Sequence, residues 1–384
     1  MTLSDRDVDT GGGLESVTPG RVASLTGIRA VAALLVMATH AAYTVGKYPQ
    51  GYVGLVYSRM EIGVPIFFVL SGFLLFSPWV DAAASSTAAP SVRRYAWHRV
   101  RRIMPAYVVT VVAAYLVYHF RTAGPNPGHT WEGLFRNLTL TQIYTDNYLY
   151  SFLHQGLTQM WSLAVEVAFY VVLPVLAWLL LVVLCRRRWR PGLLIAGLLA
   201  LAALTPGWLI LVHTTDFLTD GARLWLPGYL AWFIGGMLLA ALKPLGVRAY
   251  AMACVPLAVI CYFIVSTPIA GEPTTSPAGM SEALVKALFY AVIATLAVAP
   301  LALADRAGRP GLYNRFLASR PMVFLGEISY EIFLIHLVTM ELVMVEILNY
   351  PIYTGSFLWL FVITFVVTVP LSWLLHRFTR VRSR

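Results

Sequence analysis

The stretch SLTGIRAVAALLVMATHAAYTV, residues 24–45, places an arginine and a histidine inside an apolar segment long enough to cross a membrane. An arginine near the middle of a membrane helix costs roughly 2.5–3.5 kcal/mol on insertion scales, so its presence indicates a function. The step from Arg29 to His40 is about three helical turns, so both side chains project from one face, roughly 16 Å apart along the axis. The segment therefore predicts a fixed cation near one membrane surface and a proton-transfer group near the other.

The composition of the whole chain is that of a membrane protein. Hydrophobic residues make up 59% of it, charged residues 12%, and the mean hydropathy is +0.71, whereas soluble domains carry about 25% charged residues. About ten apolar segments reach the roughly 20 residues that a span needs. They are 24–45, 62–80, 103–121, 161–185, 192–213, 223–242, 249–267, 283–304, 322–345 and 356–376. Because the bilayer offers no hydrogen-bond partners to the backbone, the sequence predicts an all-α integral membrane protein with about ten transmembrane helices.

Two of these segments contain residues that disturb helices. Segment 62–80 carries Pro65, Gly72 and Pro78, and segment 223–242 carries Pro227 and the pair Gly235-Gly236. Proline removes a backbone donor and its ring clashes with the preceding turn. We therefore expect these two spans to be bent or broken.

The distribution of charge predicts the orientation. With both ends on one side of the membrane, most of the 28 Lys and Arg residues fall in loops on that side, so the positive-inside rule places both termini in the cytoplasm. The net charge of +10 then reflects this bias and contact with anionic membrane lipids, and no nucleic-acid partner is predicted. Arginine far outnumbers lysine, a composition typical of a high-GC bacterium, so the expected location is the bacterial inner (cell) membrane.

The chain divides into one large domain with short tails. Residues 1–20 are acidic and glycine-rich, which predicts a disordered cytoplasmic tail. Residues 21–378 form the transmembrane domain, and 379–384 form a basic cytoplasmic tail. The three cysteines form no CxxC motif, so neither a disulfide framework nor a metal site is expected.

Further motifs follow the first span in a fixed order. They are EIGVPIFFVLSGFLLF at 61–76, RRYAWHRVRRIMPAY at 93–107, MWSLAVEVAFYVVLP at 160–174 and LGEISYEIFLIH at 325–336. Together they resemble the membrane-bound acyltransferase family 3, whose members O-acylate sugars, envelope glycans and glycolipids, and macrolides. The resemblance implies an O-acyltransferase over nearly the whole chain.

The residues themselves fit that chemistry. A hydroxyl that attacks a thioester needs a base, and the ordinary pKa of histidine suits His40 to that task. Counted from the ends of their spans, His40 and Glu166 lie at similar depth, so Glu166 is predicted to orient His40 and stabilise its charged form. The alternatives are that His40 is a satisfied core histidine or that Glu166 pairs with another cation.

Arginines form the second part of the predicted site. Arg29 cannot act as a base, and Arg99 and Arg102 enter from the next cytoplasmic loop, about one helical turn apart. Clustered guanidinium groups suit phosphates through forked hydrogen bonds. We therefore predict that the three arginines bind acyl-CoA as the donor substrate, with acetyl-CoA as the first candidate. No permanently bound cofactor is expected.

Three more residues are candidate substrate contacts. Trp161 and Ser162 begin the fourth predicted span, and His336 lies in the ninth. A tryptophan at this depth also fits the ordinary role of an anchor at the membrane interface.

The predicted function is transfer of an acyl group, most simply acetyl, from acyl-CoA to a hydroxyl of an envelope carbohydrate or glycolipid. The resemblance implies acceptors such as trehalose mycolates or, alternatively, a macrolide, and an envelope-export protein is a candidate partner. A transporter or flippase of a lipid-linked sugar would also contain broken helices and buried charges. No matching pair of hydropathy repeats is evident, which counts against that alternative, and a membrane scaffold without activity is the third.

Overall fold

The computed structural model describes residues 19–121, 125–146, 148–215, 218–273, 279–304 and 311–380. In these ranges the chain forms helices and no strands. The α-helices are α1 (Pro19–Thr44), α2 (Gly51–Ser58), α3 (Gly63–Ala84), α4 (Val92–Phe120), α5 (Trp131–Leu138), α6 (Met160–Ala177), α7 (Pro191–Ala202), α8 (Leu204–Thr214), α9 (Leu230–Leu242), α10 (Ala251–Val265), α11 (Met280–Ala302), α12 (Leu312–Leu317), α13 (Arg320–Glu327), α14 (Ser329–Leu342) and α15 (Phe357–Thr379). Residues 1–18 of the predicted disordered tail and 381–384 of the predicted basic tail lie outside the described residues.

The all-α, multi-pass prediction is confirmed. Among the described residues, eight helical stretches are long and apolar enough to cross a membrane. They are Ala23–Thr44, Gly51–Ala84, Val92–Phe120, Met160–Leu184, Pro191–Thr214, Leu226–Leu245, Met280–Ala302 and Phe357–Thr379. Two further helical stretches, Arg320–Glu327 and Ser329–Ile347, meet at an angle of 71° and add a ninth span if the bent pair is counted as one. The remaining predicted span is α10, whose 15 residues cover only roughly 22 Å of a core about 30 Å thick.

One of the two predicted breaks is present and the other is not. Segment 223–242 is interrupted at Trp225, which is extended between two 3₁₀ turns, and its α-helix α9 begins only at Leu230. The helix α3 is continuous over Gly63–Ala84 even though Pro78 lies inside it, and Pro65 lies in its first turn, where backbone donors have no helical partner anyway. The sharp bend occurs instead between α13 and α14, where the Ser329 hydroxyl donates to the Gly326 carbonyl at 2.8 Å. A Cβ on Gly326 would lie 2.0 Å from the carbonyl oxygen of Thr26 in α1. Contact with the first helix therefore fixes the position of this bend.

Two glycines allow α3 and α9 to pack backbone to backbone. A Cβ on Gly72 would lie 2.0 Å from the Phe233 carbonyl oxygen, and one on Gly236 would lie 1.9 Å from the Val69 carbonyl oxygen. Small residues at helix contacts are a general device of membrane proteins. The close approach places Ser71, the neighbour of Gly72, at the wall of the cavity described below.

Replacement of Gly72 by alanine is expected to destabilise the protein by about 1–3 kcal/mol or more, because a rigid carbonyl occupies the position of the new methyl group. The matched control is Gly207→Ala in α8, where a Cβ meets nothing within 4 Å. This control should be neutral or slightly stabilising. The midpoint of thermal unfolding in detergent, followed by tryptophan fluorescence, separates the two variants, and equal midpoints would contradict the packing argument.

The long segment between α4 and α6 folds into the helix bundle. Its buried polar residues are Asn137, Gln142, His154 and Gln159. The Tyr107 hydroxyl donates to the Asn137 carbonyl at 2.5 Å, and the Gln159 side-chain amide donates to the Leu334 carbonyl of α14 at 2.9 Å. Met160, the first residue of α6, is therefore fully buried, and α6 begins inside the bundle.

Candidate active site

The first helix carries both ends of the site. The helix α1 runs unbroken from Pro19 to Thr44, so Arg29 and His40 lie on one face, roughly 16 Å apart along the axis, as predicted. Ala30, Ala33 and Ala41 of the same helix are fully buried or nearly so. These short side chains allow neighbouring helices to approach closely on both sides of the polar face.

The arginine end opens into a cavity of about 1000 Å³, part of which is open to the surroundings. Its polar lining consists mainly of Arg29, Ser71, Arg99, Arg102, Glu166 and Tyr170. The structure thus brings the three predicted arginines together, although they come from two helices. Among the described residues, none of their guanidinium groups forms a hydrogen bond or ion pair with a protein acceptor, and Nε of Arg99 is fully enclosed without a partner.

An enclosed guanidinium without an acceptor is costly unless a ligand supplies one. Arg29 and Arg99 are half-buried and Arg102 is exposed, and the three face one cavity together with the single carboxylate of Glu166, so the site is net positive. The arrangement suits a ligand with several anionic oxygens, since arginine binds phosphate groups through two parallel hydrogen bonds.

The predicted contact between Glu166 and His40 is wrong. A Glu166 carboxylate oxygen accepts hydrogen bonds from the Ser71 hydroxyl and from the Tyr170 hydroxyl, the latter at 2.6 Å. The Gln159 side chain contacts the Leu334 carbonyl, which lies close to His336, so Gln159 and the histidines lie at similar depth. Glu166 lies seven residues further along α6, roughly 10 Å deeper at 1.5 Å per residue. Because α6 begins inside the bundle, Glu166 reaches the arginine cavity instead of His40.

His336 occupies the position predicted for Glu166. Its Nε2 lies 3.0 Å from Nδ1 of His40, and the two rings stack with their centroids 5.1 Å apart. The Nδ1 atom of His336 lies 2.8 Å from the Phe333 carbonyl oxygen and 3.2 Å from that of Ile332. His336 is therefore a partner of His40 rather than the direct substrate contact that the sequence predicted.

These distances assign the tautomers. Carbonyl oxygens only accept, so Nδ1 of His336 carries a proton, and the Nε2 of a neutral His336 is an acceptor. The Nδ1 of His40 must then be the donor between the two rings, which leaves its Nε2 unprotonated. An imidazole with an available Nε2 lone pair is what a general base requires.

Two phenylalanines separate the arginine cavity from the histidine pair. Phe67 and Phe333 both line the cavity, and their rings meet edge to face with centroids 6.3 Å apart. The Phe333 ring lies 6.1 Å from that of His336, on the other side of which lies His40. Neither histidine lines the cavity, and the Phe333 ring contacts His336 from the side of the cavity lining.

Of the two other predicted substrate contacts, one lines the cavity and one does not. Ser162 lines the cavity, and its hydroxyl donates to the Gln159 carbonyl at 3.1 Å. Trp161 does not line it, since its ring packs against Tyr229 with centroids 5.1 Å apart. Sequence reasoning missed Tyr170 as the partner of Glu166, although their spacing of four residues on one helix is a direct signal for such a contact.

Comparison with known proteins identifies the family of the chain. The chain matches the acyltransferase domain family over residues 22–377. It is 31% identical over 174 residues to the acyltransferase MdmB of Streptomyces mycarofaciens, which covers 44% of this chain and 42% of that protein. It is 26% identical over 345 residues to the peptidoglycan O-acetyltransferase OatA of Listeria monocytogenes, covering 82% of this chain and 49% of the relative.

A third relative is the O-acetyltransferase OatA of Staphylococcus aureus, 23% identical over 305 residues, or 72% of this chain and 45% of that protein. The chain thus spans about half the length of the curated relatives it matches. No solved structure shows a significant match. Since the family match extends over nearly the whole chain, this multi-pass membrane protein belongs to the membrane-bound acyltransferase family 3.

Proposed function

We propose that this protein transfers an acetyl group from acetyl-CoA to a hydroxyl of a carbohydrate or glycolipid of the bacterial envelope. The observation that carries the proposal is the shared helix α1. It presents Arg29 to a cavity with two further unpaired arginines, and it presents His40 to a second histidine about three turns away.

An extended acetyl-CoA molecule fits the distance between Arg29 and His40. Its phosphates would bind Arg29, Arg99 and Arg102, which the distribution of Lys and Arg in the sequence assigns to the cytoplasmic side. The extended pantetheine arm would carry the thioester toward His40 over the roughly 16 Å that separate the two residues along α1. Phe67 and Phe333 line the cavity, and the Phe333 ring contacts that of His336, so the acyl end would pass beside these two rings.

The chemical step uses the lone pair on Nε2 of His40. This atom takes the proton from the acceptor hydroxyl while the hydroxyl oxygen attacks the thioester carbonyl. The carbon–sulfur bond then breaks, CoA leaves as a thiolate, and the imidazolium returns the proton to the sulfur. His336 accepts the hydrogen bond from Nδ1 of His40 throughout and so holds the ring in the reactive tautomer.

The relatives support an acceptor in the envelope. One is named a peptidoglycan O-acetyltransferase, and we extend this to envelope sugars in general, with trehalose mycolates as the glycolipid to test. The location that follows is the inner membrane, with the acceptor hydroxyl in the outer leaflet and an envelope-export protein as a partner.

The test uses purified protein in nanodiscs with acetyl-CoA labelled in the acetyl group. A panel of acceptors includes trehalose monomycolate, peptidoglycan fragments and a macrolide. We expect label on a sugar hydroxyl together with stoichiometric release of CoA. Movement of a lipid-linked sugar across the bilayer without consumption of acetyl-CoA would contradict the proposal and favour a transporter.

Replacement of Arg99 or Arg29 by alanine is expected to raise the KM for acetyl-CoA by about 10- to 100-fold, because a hydrogen bond to a charged group typically contributes about 1.5–3 kcal/mol. The KM for the acceptor should change little. The matched control is Arg101→Ala, since Arg101 belongs to the same helix but lies over the Trp97 ring and does not line the cavity. An equal effect of Arg101→Ala would refute the assignment of the cavity to the donor.

A further inference from the structure

Three tyrosines gather at the end of α1 beyond His40, and we refer to Tyr43, Tyr48 and Tyr353 as the tyrosine cluster. The Tyr43 ring lies 5.3 Å from that of Tyr48 and 5.7 Å from that of Tyr353, both edge to face. The hydroxyls of Tyr43 and Tyr353 lie 3.1 Å apart. These two residues are 45% and 55% exposed, so about half of the surface of each is available to a ligand.

The cluster adjoins the proposed base. Tyr43 follows His40 by three residues, which places it about one helical turn further along and within about 60° of the same face. Tyr48 is tied to the same turn, because its hydroxyl lies 2.7 Å from the hydroxyl oxygen of Thr39. One edge of a molecule bound to these rings would therefore lie close to His40.

The third tyrosine is fixed by the backbone of the loop between α14 and α15. The amide of Tyr353 donates to the Thr44 carbonyl at 3.1 Å, and the residue has a φ of +62°. A non-glycine residue in this region is strained by roughly 1–3 kcal/mol and is kept only where the surroundings enforce it. Opposite it, Gly46 leaves room for the Tyr353 carbonyl oxygen, which a Cβ would approach to 2.7 Å. The contacts thus hold the Tyr353 ring over the end of α1.

We propose that the tyrosine cluster is the binding site for the carbohydrate part of the acceptor. Tyrosine rings present flat apolar faces to the C–H face of a pyranose, while their hydroxyls offer donors and acceptors to sugar hydroxyls. A site of this kind, apolar surface with a few placed polar groups, is typical of small-ligand recognition. The inference rests on the proposed function, since it places the reacting hydroxyl beside Nε2 of His40.

The competing explanation is that these tyrosines belong to the aromatic belt at the membrane interface. Belt residues act singly through contact with lipid headgroups. The tyrosine cluster differs because Tyr43 and Tyr353, which come from distant parts of the chain, pair through their hydroxyls. Tyr43 also lies about one helical turn from His40.

The test compares Tyr43→Ala and Tyr353→Ala with Tyr43→Phe and with the control Tyr52→Ala. Tyr52 is similarly exposed, at 49%, but its hydroxyl donates to the Phe263 carbonyl, away from the cluster. Each alanine variant should raise the KM for trehalose monomycolate about 3- to 10-fold, the range typical of an aromatic contact. The phenylalanine variant, which keeps the ring, should lie closer to the parent. The KM for acetyl-CoA is measured in each variant as well, because a general folding defect would change it and loss of an acceptor contact would not.

Binding of free trehalose and of trehalose monomycolate to the nanodisc-embedded protein, measured by calorimetry, tests the cluster without turnover. Weaker binding in the alanine variants supports the inference. Unchanged acceptor KM and affinity in an active enzyme, or an equal effect of Tyr52→Ala, overturns it while leaving the proposed function intact. A parent protein that binds the sugar through these tyrosines but transfers no acetyl group would instead overturn the proposed function alone.

Discussion

Replacement of His40 by alanine is expected to reduce acetyl transfer by about 10²–10⁴-fold, the usual contribution of a positioned general base. The Nε2 lone pair of this ring has no substitute, because the only other imidazole in contact with it, among the described residues, uses its Nε2 to accept from His40. Affinity for CoA should persist, since the arginine cavity does not include His40. The measurement is the initial rate at saturating acetyl-CoA and acceptor, together with the Kd for CoA.

The control for this variant is His213→Ala. His213 is also a histidine within a membrane helix, α8, but its Nδ1 lies 2.7 Å from the Leu209 carbonyl oxygen of its own helix. This control should retain parental activity. If His40→Ala transferred acetyl groups as fast as the parent, the proposed mechanism would be untenable, whatever the acceptor.

The helical segments were predictable because burial in lipid leaves the backbone few options. The apolar segments of about 20 residues are helical, although 192–213 and 322–345 each contain two helices, and the continuity of α1 confirms the geometry assumed for Arg29 and His40. The sharp bend between α13 and α14 was not predictable from proline positions. Proline at a helix start costs little, whereas the actual bend at Gly326 depends on contact with Thr26, three hundred residues earlier in the chain.

The arginines of the site were predictable from the sequence, whereas the position of Glu166 was not. The arginines converge because Arg29 projects from a span and Arg99 and Arg102 occupy one turn of the adjoining helix, so local spacing was sufficient. Glu166 was misplaced because its depth was counted from an assumed membrane surface. The segment that precedes α6 folds inward through Asn137 and Gln159, and no local pattern records how deep such a segment lies.

The same counting applied to the ninth span would have suggested His336 as a partner for His40. Its signal was an ionisable side chain within a membrane helix, three residues after Phe333, whose carbonyl its Nδ1 contacts. What the sequence lacks is the pairing of α14 with α1, which arises from packing between distant segments.

Replacement of His336 by leucine is the second prediction with a large expected effect. Without an acceptor at Nε2, Nδ1 of His40 loses the partner that selects its reactive tautomer, and loss of such a partner elsewhere reduces turnover by up to about 10⁴-fold. We expect a decrease in kcat of about 10²-fold or more, with little change in the KM for acetyl-CoA. Rates measured at saturating donor and acceptor separate these two parameters.

The variant His336→Gln distinguishes orientation of His40 from a direct role in proton transfer. The oxygen of a glutamine side chain reaches approximately the position of Nε2 and accepts a hydrogen bond, but the amide does not titrate. If His336 acts only through the tautomer of His40, this variant should recover most of the activity that leucine removes. Equal loss in both variants would mean that His336 itself exchanges protons during turnover, and the role of a positioning residue would then have to be abandoned.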